Sequence, residues 1–305
     1  MEINSFETFF ARYWIMAYFL LSILASTLIF LVFKLFQRFG IQTFQAIVFN
    51  YWTAFLFGFS LIESKEGIDV SALDWLWLVP IEGVLFISIF NVMALTVQKH
   101  SVTVGSVASR TAMIIPAAVF MIADPSEGFS LWKVMGIILA CSAVYLSSKK
   151  SEGIEIDPKY IYLPLILFLG SGMIDLIIGY AQSYLMKSEE EGLLFIPGIF
   201  LIAAILGSTF LIYKYRVEKS IKWQSKDVIG GIILGLVNYA SLFFILKAMD
   251  TRLLPASLFF PVNNMGIIVA GTLLGLLAFR ERLSVTNWFG IFLGMIAISM
   301  MILAA

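Results

Sequence analysis

The chain is a succession of long apolar stretches separated by short polar turns, and this pattern restricts the folds open to it. A helix needs ~20 mostly apolar residues to cross the ~30 Å hydrocarbon layer of a membrane. Helices are the expected elements, because lipid cannot satisfy free backbone N–H and C=O groups. Ten stretches meet this requirement: 13–36, 43–62, 75–97, 101–123, 131–148, 160–184, 193–214, 228–248, 253–279 and 284–304.

The composition agrees with a chain solvated largely by lipid. Hydrophobic residues make up 60% of it and charged residues 13%. Soluble domains are nearer ~45–50% apolar and ~25% charged. We therefore predict an all-α integral membrane protein with ten transmembrane helices, and no turn is long enough to hold a separate soluble domain.

Several functional classes are disfavoured by residue counts. Twenty basic and twenty acidic residues give a net charge of zero, which argues against nucleic-acid binding. The single histidine, His100, argues against a metal site built from protein ligands alone. No G-x-x-x-x-G-K-[ST] motif occurs, so ATP is not expected to drive the protein directly. We expect neither a metal nor a cofactor.

The two halves of the chain resemble each other in sequence. A shift of 154 positions places Glu281 on Glu127, and a shift of 148 positions places Asp175 on Thr27. Further identities at the first shift are Ser284 with Ser130, Gly290 with Gly136, Leu293 with Leu139 and Ala297 with Ala143.

The midpoint of the chain leaves five apolar stretches on each side. We therefore predict one membrane domain built from two five-helix repeats, 1–152 and 153–305. An odd number of spans per repeat inverts the second repeat in the membrane. Many secondary transporters follow this plan and bind their substrate near mid-membrane between the halves.

Short charged turns precede the last apolar stretch of each half, with Glu127 in the first and Glu281-Arg282 in the second. Pro255 and Pro261 lie in the stretch before the second turn. With the five-plus-five array, these features resemble the EamA-like branch of the drug/metabolite transporter superfamily. The resemblance covers nearly the whole chain. It implies an exporter of a small organic solute in the cytoplasmic (inner) membrane of a bacterium.

The orientation in the membrane stays open. Lys and Arg are more frequent in the turns after odd-numbered spans, which by the positive-inside rule places both termini outside. The resemblance implies termini in the cytoplasm.

Ionisable residues inside apolar stretches are candidates for function, because each costs ~2.5–3.5 kcal/mol to insert. Arg110 lies midway along the fourth stretch, on one helical face with Ser106. It is a candidate contact for a substrate carboxylate or phosphate, and the alternative is an ion pair that joins two helices. Asp175, midway along the sixth stretch, is a protonatable carboxylate, a counter-ion for Arg110 or a residue facing a water-filled vestibule.

Glu82 follows Pro80 in the first third of the third stretch, and a position near a membrane interface is expected for it. Amide side chains are further candidates to line a cavity, and their alternative role is an interhelical hydrogen bond. Two of them follow Pro261, which removes a backbone hydrogen bond and can kink the helix beside a cavity. The amides are Asn91, Asn238, Asn263 and Asn264.

These features favour a secondary transporter that moves a small organic solute by alternating access. Any coupling would be to protons, with Asp175 as the first candidate. One alternative is a membrane-embedded enzyme acting on a lipid or prenyl substrate, but paired aspartates or a histidine cluster are missing from the sequence. A non-transporting scaffold or sensor is the other alternative, and the short turns leave it little docking surface. The substrate and the oligomeric state stay open.

Overall fold

A computed structural model gives the fold of the chain. The described residues form helices joined by turns, without a β-strand, so the prediction of an all-α fold is confirmed for this part. The residues described are 3–62, 73–99, 108–123, 130–148, 160, 162–218, 224–279 and 284–303.

Ten helices of ten residues or more make up most of the described chain, as predicted. Each coincides with one of the ten apolar stretches. The helices are α1 (Ile3–Phe39), α2 (Thr43–Ser60), α3 (Leu78–Lys99), α4 (Ile114–Ala123), α5 (Leu131–Ser148), α6 (Tyr162–Tyr180), α7 (Glu189–Tyr213), α8 (Ser225–Asp250), α9 (Ala256–Phe279) and α10 (Val285–Leu303). Short π-helical turns continue α6 and α7 to Leu185 and Glu218.

The fourth apolar stretch is not the continuous helix that its hydropathy predicts. A helical turn at 108–111 contains Arg110, and α4 starts only at Ile114. Pro116 explains the interruption, because its ring clashes with the carbonyl of Ala112, four residues earlier, and it has no N–H to donate. Arg110 therefore lies beside a break in the helix.

The helix contacts have the same pattern in both halves of the chain. α2 packs on α8 as α7 packs on α3, α1 packs on α8 as α6 packs on α3, and α1 packs on α9 as α6 packs on α4. Each of these three pairs of contacts is related by one exchange of halves. The exchange replaces every helix by the helix five places away in chain order, so that α1 corresponds to α6 and α2 to α7. The contacts α2–α7, α4–α9 and α5–α10 join helices that this exchange maps onto each other.

Buried apolar side chains form two main clusters in the described residues. The larger one lies between α2, α3, α7 and α8 and contains Tyr51, Trp75 and Phe200. The other lies between α4, α5, α9 and α10 and contains Phe120 and Met265. α1 and α6 pack against both clusters and therefore lie between them.

α2 and α8 approach each other closely at Gly231 and Gly235. A Cβ atom at Gly231 would lie 2.4 Å from the Cβ of Phe49, and one at Gly235 would lie 2.6 Å from the carbonyl oxygen of Asn50. Neither contact can be relieved by turning the end of a flexible side chain. This four-residue spacing of glycines is a common device for close helix packing.

The outer surface of the bundle is strongly apolar. Large side chains such as Ile122 (85% exposed) and Val285 (86% exposed) point away from the core. Within the residues that the structure describes, four helical segments are long and apolar enough to cross a membrane: Met16–Phe33, Tyr162–Leu185, Glu190–Val217 and Ser225–Asp250. Shorter apolar segments lie in α3, in the Arg110 turn with α4, and in α5, α9 and α10.

Candidate functional site

Arg110 is held in place by contacts from α1 and α9. Its side chain is half-buried, and its Nη1 donates a hydrogen bond of 2.6 Å to Oδ1 of Asn264. The guanidinium carbon lies 4.6 Å from the centroid of the Phe30 ring, in the range of a cation–π interaction. A planar cation fixed by one amide and one ring keeps further N–H groups for a ligand.

Asp175 on α6 belongs to the same cluster. Its carboxylate is half-buried, accepts a hydrogen bond from the Asn264 amide and senses the charge of Arg110. Asn264 is only 3% exposed and bridges the cation and the acid, since its oxygen accepts from Arg110 and its nitrogen donates to Asp175. Arg110 and Asp175 therefore lie in one cluster with an amide between them, an arrangement compatible with the counter-ion alternative for Asp175.

Asn263 faces α1. The hydroxyl of Ser22 donates to Oδ1 of Asn263 at 2.9 Å, and both side chains are buried. A similar bond joins Ser171 of α6 to Ser109 in the Arg110 turn at 3.3 Å. Short polar side chains thus join α1 to α9, and join α6 to the Arg110 turn that precedes α4.

Glu82 on α3 is fully buried within the protein, and its position near a membrane interface stays a prediction. Its relative exposure is 0%, and neither carboxylate oxygen has a hydrogen-bond partner among the described residues. The negative charge of Asp175, a member of that cluster, acts on Glu82. The position of Pro80 in the sequence did not indicate this burial, because burial here depends on how α3 packs against α6 and α7.

The other two predicted amides have different surroundings. Asn238 donates to Oδ1 of Asn50 at 3.1 Å and joins α8 to α2, which is the packing role considered for it. Asn91 donates to the carbonyl of Ile87 in its own helix at 2.6 Å. Asn91 also lines an outer cavity of about 320 Å³ between α2, α3 and α7, whose other walls include exposed apolar residues. This cavity does not include the Arg110 cluster.

Four predicted residues lie outside the described part of the chain, namely Ser106, Glu127, Glu281 and Arg282.

The interpretation of the sequence did not include a set of polar and aromatic residues on α1. Ser22, Ser26 and Phe30 follow one another at four-residue steps and therefore share one helical face. Ser26 shares a hydrogen bond of 2.7 Å with Ser241 of α8. The four-residue spacing of these side chains could have indicated from the sequence that they share one face of α1.

At one end of the bundle, the start of α8 is tied to the turn between α1 and α2. The buried carboxylate of Asp227 accepts a hydrogen bond of 2.8 Å from the backbone N–H of Gln42. The ammonium group of Lys226 donates to the carbonyl of Phe39 at 3.0 Å. We call these two contacts the first latch.

A corresponding pair of contacts ties the start of α3 to the turn between α6 and α7. The indole N–H of Trp75 donates to Glu191 at 2.6 Å, and Lys187 forms an ion pair of 2.7 Å with Asp74. The hydrogen bond and negative charge of Asp74 raise the pKa of Lys187 above its usual value. We call these contacts the second latch, and the exchange of halves maps the helices of one latch onto those of the other.

Comparison with known proteins adds to the fold. No protein-family model matches the chain. A protein of Haemophilus influenzae, described as an uncharacterized protein, is 29% identical over 287 residues, which cover 91% of this chain and 94% of the relative. A crystal structure of another protein matches with a TM-score of 0.71 and 14% identity, over 93% of this chain and 94% of that one. The chain therefore shares its helical fold, over nearly its full length, with a protein of known structure.

Proposed function

We propose that this protein is a secondary transporter that carries a small organic solute across the cytoplasmic membrane of a bacterium by alternating access. The observation that carries the proposal is the cluster of Arg110, Asn264 and Asp175. It places a cation, an amide and an acid inside a bundle whose outer surface is apolar. Charged groups inside such a bundle are costly and typically mark a substrate or ion pathway.

The apolar exterior supports insertion in a membrane. Large apolar side chains exposed on many helices would form patches far larger than soluble monomers tolerate. Four helices already have the length and hydropathy to span a bilayer. The relative in Haemophilus influenzae supports a bacterial setting.

The symmetry of the helix contacts supports two inverted repeats, 1–152 and 153–305. An arrangement in which exchanging the halves preserves the helix contacts described above is expected when two copies of one unit pack about a local two-fold axis. Five helices per half turn the second copy upside down if every helix crosses the membrane. Inverted repeats of this kind place the solute site where the halves meet, and Arg110 and Asn264 belong to opposite halves.

The family assignment we propose is the EamA-like branch of the drug/metabolite transporter superfamily. Ten helices in a five-plus-five order, and a proline-bearing α9 that carries Asn263 and Asn264, support it. From this resemblance we infer export of the solute. The protein moves its substrate without converting it chemically.

The two latches support alternating access. In an inverted arrangement, the turn between α1 and α2 and the turn between α6 and α7 lie on opposite faces of the membrane. Each latch ties one of these turns to a helix of the other half. Opening one while the other stays closed would expose the Arg110 cluster to one side at a time.

The test begins with purified protein and a panel of amino acids, nucleosides and organic ions, screened by melting temperature, because a bound solute stabilises the folded state. Compounds that raise the melting temperature are then tested for counterflow in proteoliposomes. We expect wild-type protein and a control, Arg216→Gln, which alters an exposed arginine outside the cluster and the latches, to exchange the labelled compound. We expect Arg110→Gln to lose both effects while remaining folded. Equal counterflow by Arg110→Gln and wild-type protein would overturn the role of the cluster, and absence of counterflow for every stabilising compound would overturn transport.

A further inference from the structure

Glu82 is a buried acid that the proposed contacts with the solute do not use. Its side chain is 0% exposed, and both carboxylate oxygens lack a hydrogen-bond partner among the described residues. An ionised carboxylate in that position would have lost its water without gaining N–H donors or a counter-ion, which is strongly unfavourable. Binding a proton removes the charge and most of this cost.

The helices packed against α3 offer Glu82 no positive charge within the described part of the chain. α2 contributes Tyr51, whose hydroxyl already donates to a backbone carbonyl of α3 at 3.1 Å. α7 contributes Glu191, which accepts the indole hydrogen of Trp75 just before α3 begins. α6 contributes Asp175, whose negative charge acts on Glu82. Lys187 lies beside the start of α3 but is paired with Asp74, and the charge that acts on Glu82, that of Asp175, is negative and favours a neutral Glu82.

The positive charge in the cluster, that of Arg110, acts on the other acid, Asp175. Arg110 is linked to Asp175 through Asn264, and this arrangement accommodates one negative charge. Two carboxyl groups that interact electrostatically titrate as a pair, so ionisation of one favours retention of the proton by the other. Because Asp175 has a cation and an amide beside it and Glu82 has neither among the described residues, the proton of the pair is held more favourably by Glu82.

We propose that Glu82 is a proton-binding site of this protein, occupied at neutral pH in the described conformation and in exchange with solvent through the half-buried Asp175. In the exchange, the O–H bond of Glu82 breaks and the proton passes to the Asp175 carboxylate or to water, leaving Glu82 as a carboxylate. That this proton drives solute movement rests on the proposed transport function. The occupancy of Glu82 itself does not.

Infrared difference spectroscopy of the purified full-length protein in lipid nanodiscs tests the proposal, with a change of pH as the only perturbation. Protonated carboxyl groups in apolar surroundings have a C=O stretching band that carboxylates lack. We expect wild-type protein to show this band at neutral pH and to lose it at alkaline pH. Glu82→Gln should abolish the band, while Glu191→Gln, which alters an acid outside the cluster, should keep it. A band unaffected by Glu82→Gln would overturn the proposal, as would its absence from wild-type protein.

Asp175→Asn gives a second reading that remains useful if Glu82→Gln fails to fold. Removing the neighbouring negative charge makes ionisation of Glu82 easier, so its band should vanish at a lower pH than in wild-type protein. A band that vanishes at the same pH in both proteins would contradict the coupling between the two acids. These spectra require no solute, so failure of the transport proposal, judged by counterflow, is distinguishable from failure of the proton site.

Discussion

The guanidinium of Arg110 donates a hydrogen bond of 2.6 Å to the side-chain oxygen of Asn264, and the two residues are 154 positions apart. The same shift places Glu281 on Glu127 in the sequence. In the proposed repeat, Arg110 and Asn264 thus occupy matching positions, and their side chains meet. A contact between matching positions is what a local two-fold axis produces, and it makes the candidate site a product of both halves.

Replacing Asn264 by leucine should disable the cluster. The change removes the acceptor of Arg110 and the donor of Asp175 while keeping the volume similar. Leaving buried polar partners unsatisfied costs ~1–3 kcal/mol, so the melting temperature of the purified protein should fall and stabilisation by solutes should be lost. Asn91→Leu is the matched control, because that amide bonds only a carbonyl of its own helix. Equal melting temperatures for the two variants would argue against the bridging role.

Replacing Gly231 by alanine should loosen the contact between α2 and α8. The added methyl group would lie 2.4 Å from the Cβ of Phe49 and 2.7 Å from the carbonyl oxygen of Ala46, so the helices must separate. Overpacking of this kind costs ~1–3 kcal/mol, more than the ~1 kcal/mol that alanine gains over glycine in a helix. Gly271→Ala is the control, since its methyl group meets Thr27 at an ordinary 3.7 Å. The thermal stability of Gly271→Ala should match or exceed that of wild-type protein, and a similar loss in both variants would refute the steric explanation.

The ten helices could be predicted from the sequence because apolar runs of this length have few alternative structures. Helix ends were less accurate, and α1 begins at Ile3, before the predicted residue 13, because its polar leader contains residues compatible with a helix. The break beside Arg110 had a signal in Pro116, but hydropathy alone ignores proline geometry. Hydropathy identifies which residues avoid water, and it does not report how a span is interrupted.

The candidate site could be predicted only in part. Unusual charges in apolar stretches identified Arg110 and Asp175 without reference to their neighbours. The full burial of Glu82 and the bridging position of Asn264 depend on which helices pack together, and that information is not local in the sequence. Asn238 and Asn264 have the same side chain in the same kind of stretch, yet one joins α8 to α2 and the other lies in the cluster.

Replacing Asp227 by alanine should destabilise the protein more than replacing Asp74. Asp227 is fully buried and accepts the backbone N–H of Gln42, so its loss leaves that donor unpaired at a cost of ~1–3 kcal/mol. Asp74 and its partner Lys187 are both more than half exposed, and exposed ion pairs contribute little to stability. Thermal unfolding of the two variants in one detergent provides the comparison. A larger loss in Asp74→Ala would contradict this ranking of the latches.

The amine of Lys187 should react slowly with an acylating reagent at mildly alkaline pH. Its pKa is raised by the hydrogen bond and charge of Asp74, so a smaller fraction is in the reactive neutral form at a given pH. Asp74→Asn removes the charge and should increase the acylation rate of Lys187, as measured by mass spectrometry of its peptide. The rate at Lys226, which belongs to the other latch, should be the same in both proteins. An unchanged rate at Lys187 would mean that the ion pair does not persist in solution.

Labelling of single cysteines should show that the two latches face opposite sides of the membrane. Cys141 is the chain's one cysteine, so Cys141→Ala provides a background without thiols. Asp74, which precedes α3, and Ser225, the first residue of the corresponding helix α8, are both exposed and tolerate a cysteine. In sealed proteoliposomes of uniform orientation, a membrane-impermeant maleimide added outside should label only one of Asp74→Cys and Ser225→Cys.

Lys187→Cys is the control and should behave like Asp74→Cys, because the ion pair places both at the same end of the protein. Labelling of Asp74→Cys and Ser225→Cys from one side would mean that the halves are not inverted, and a site between them could not be exposed alternately by the two latches.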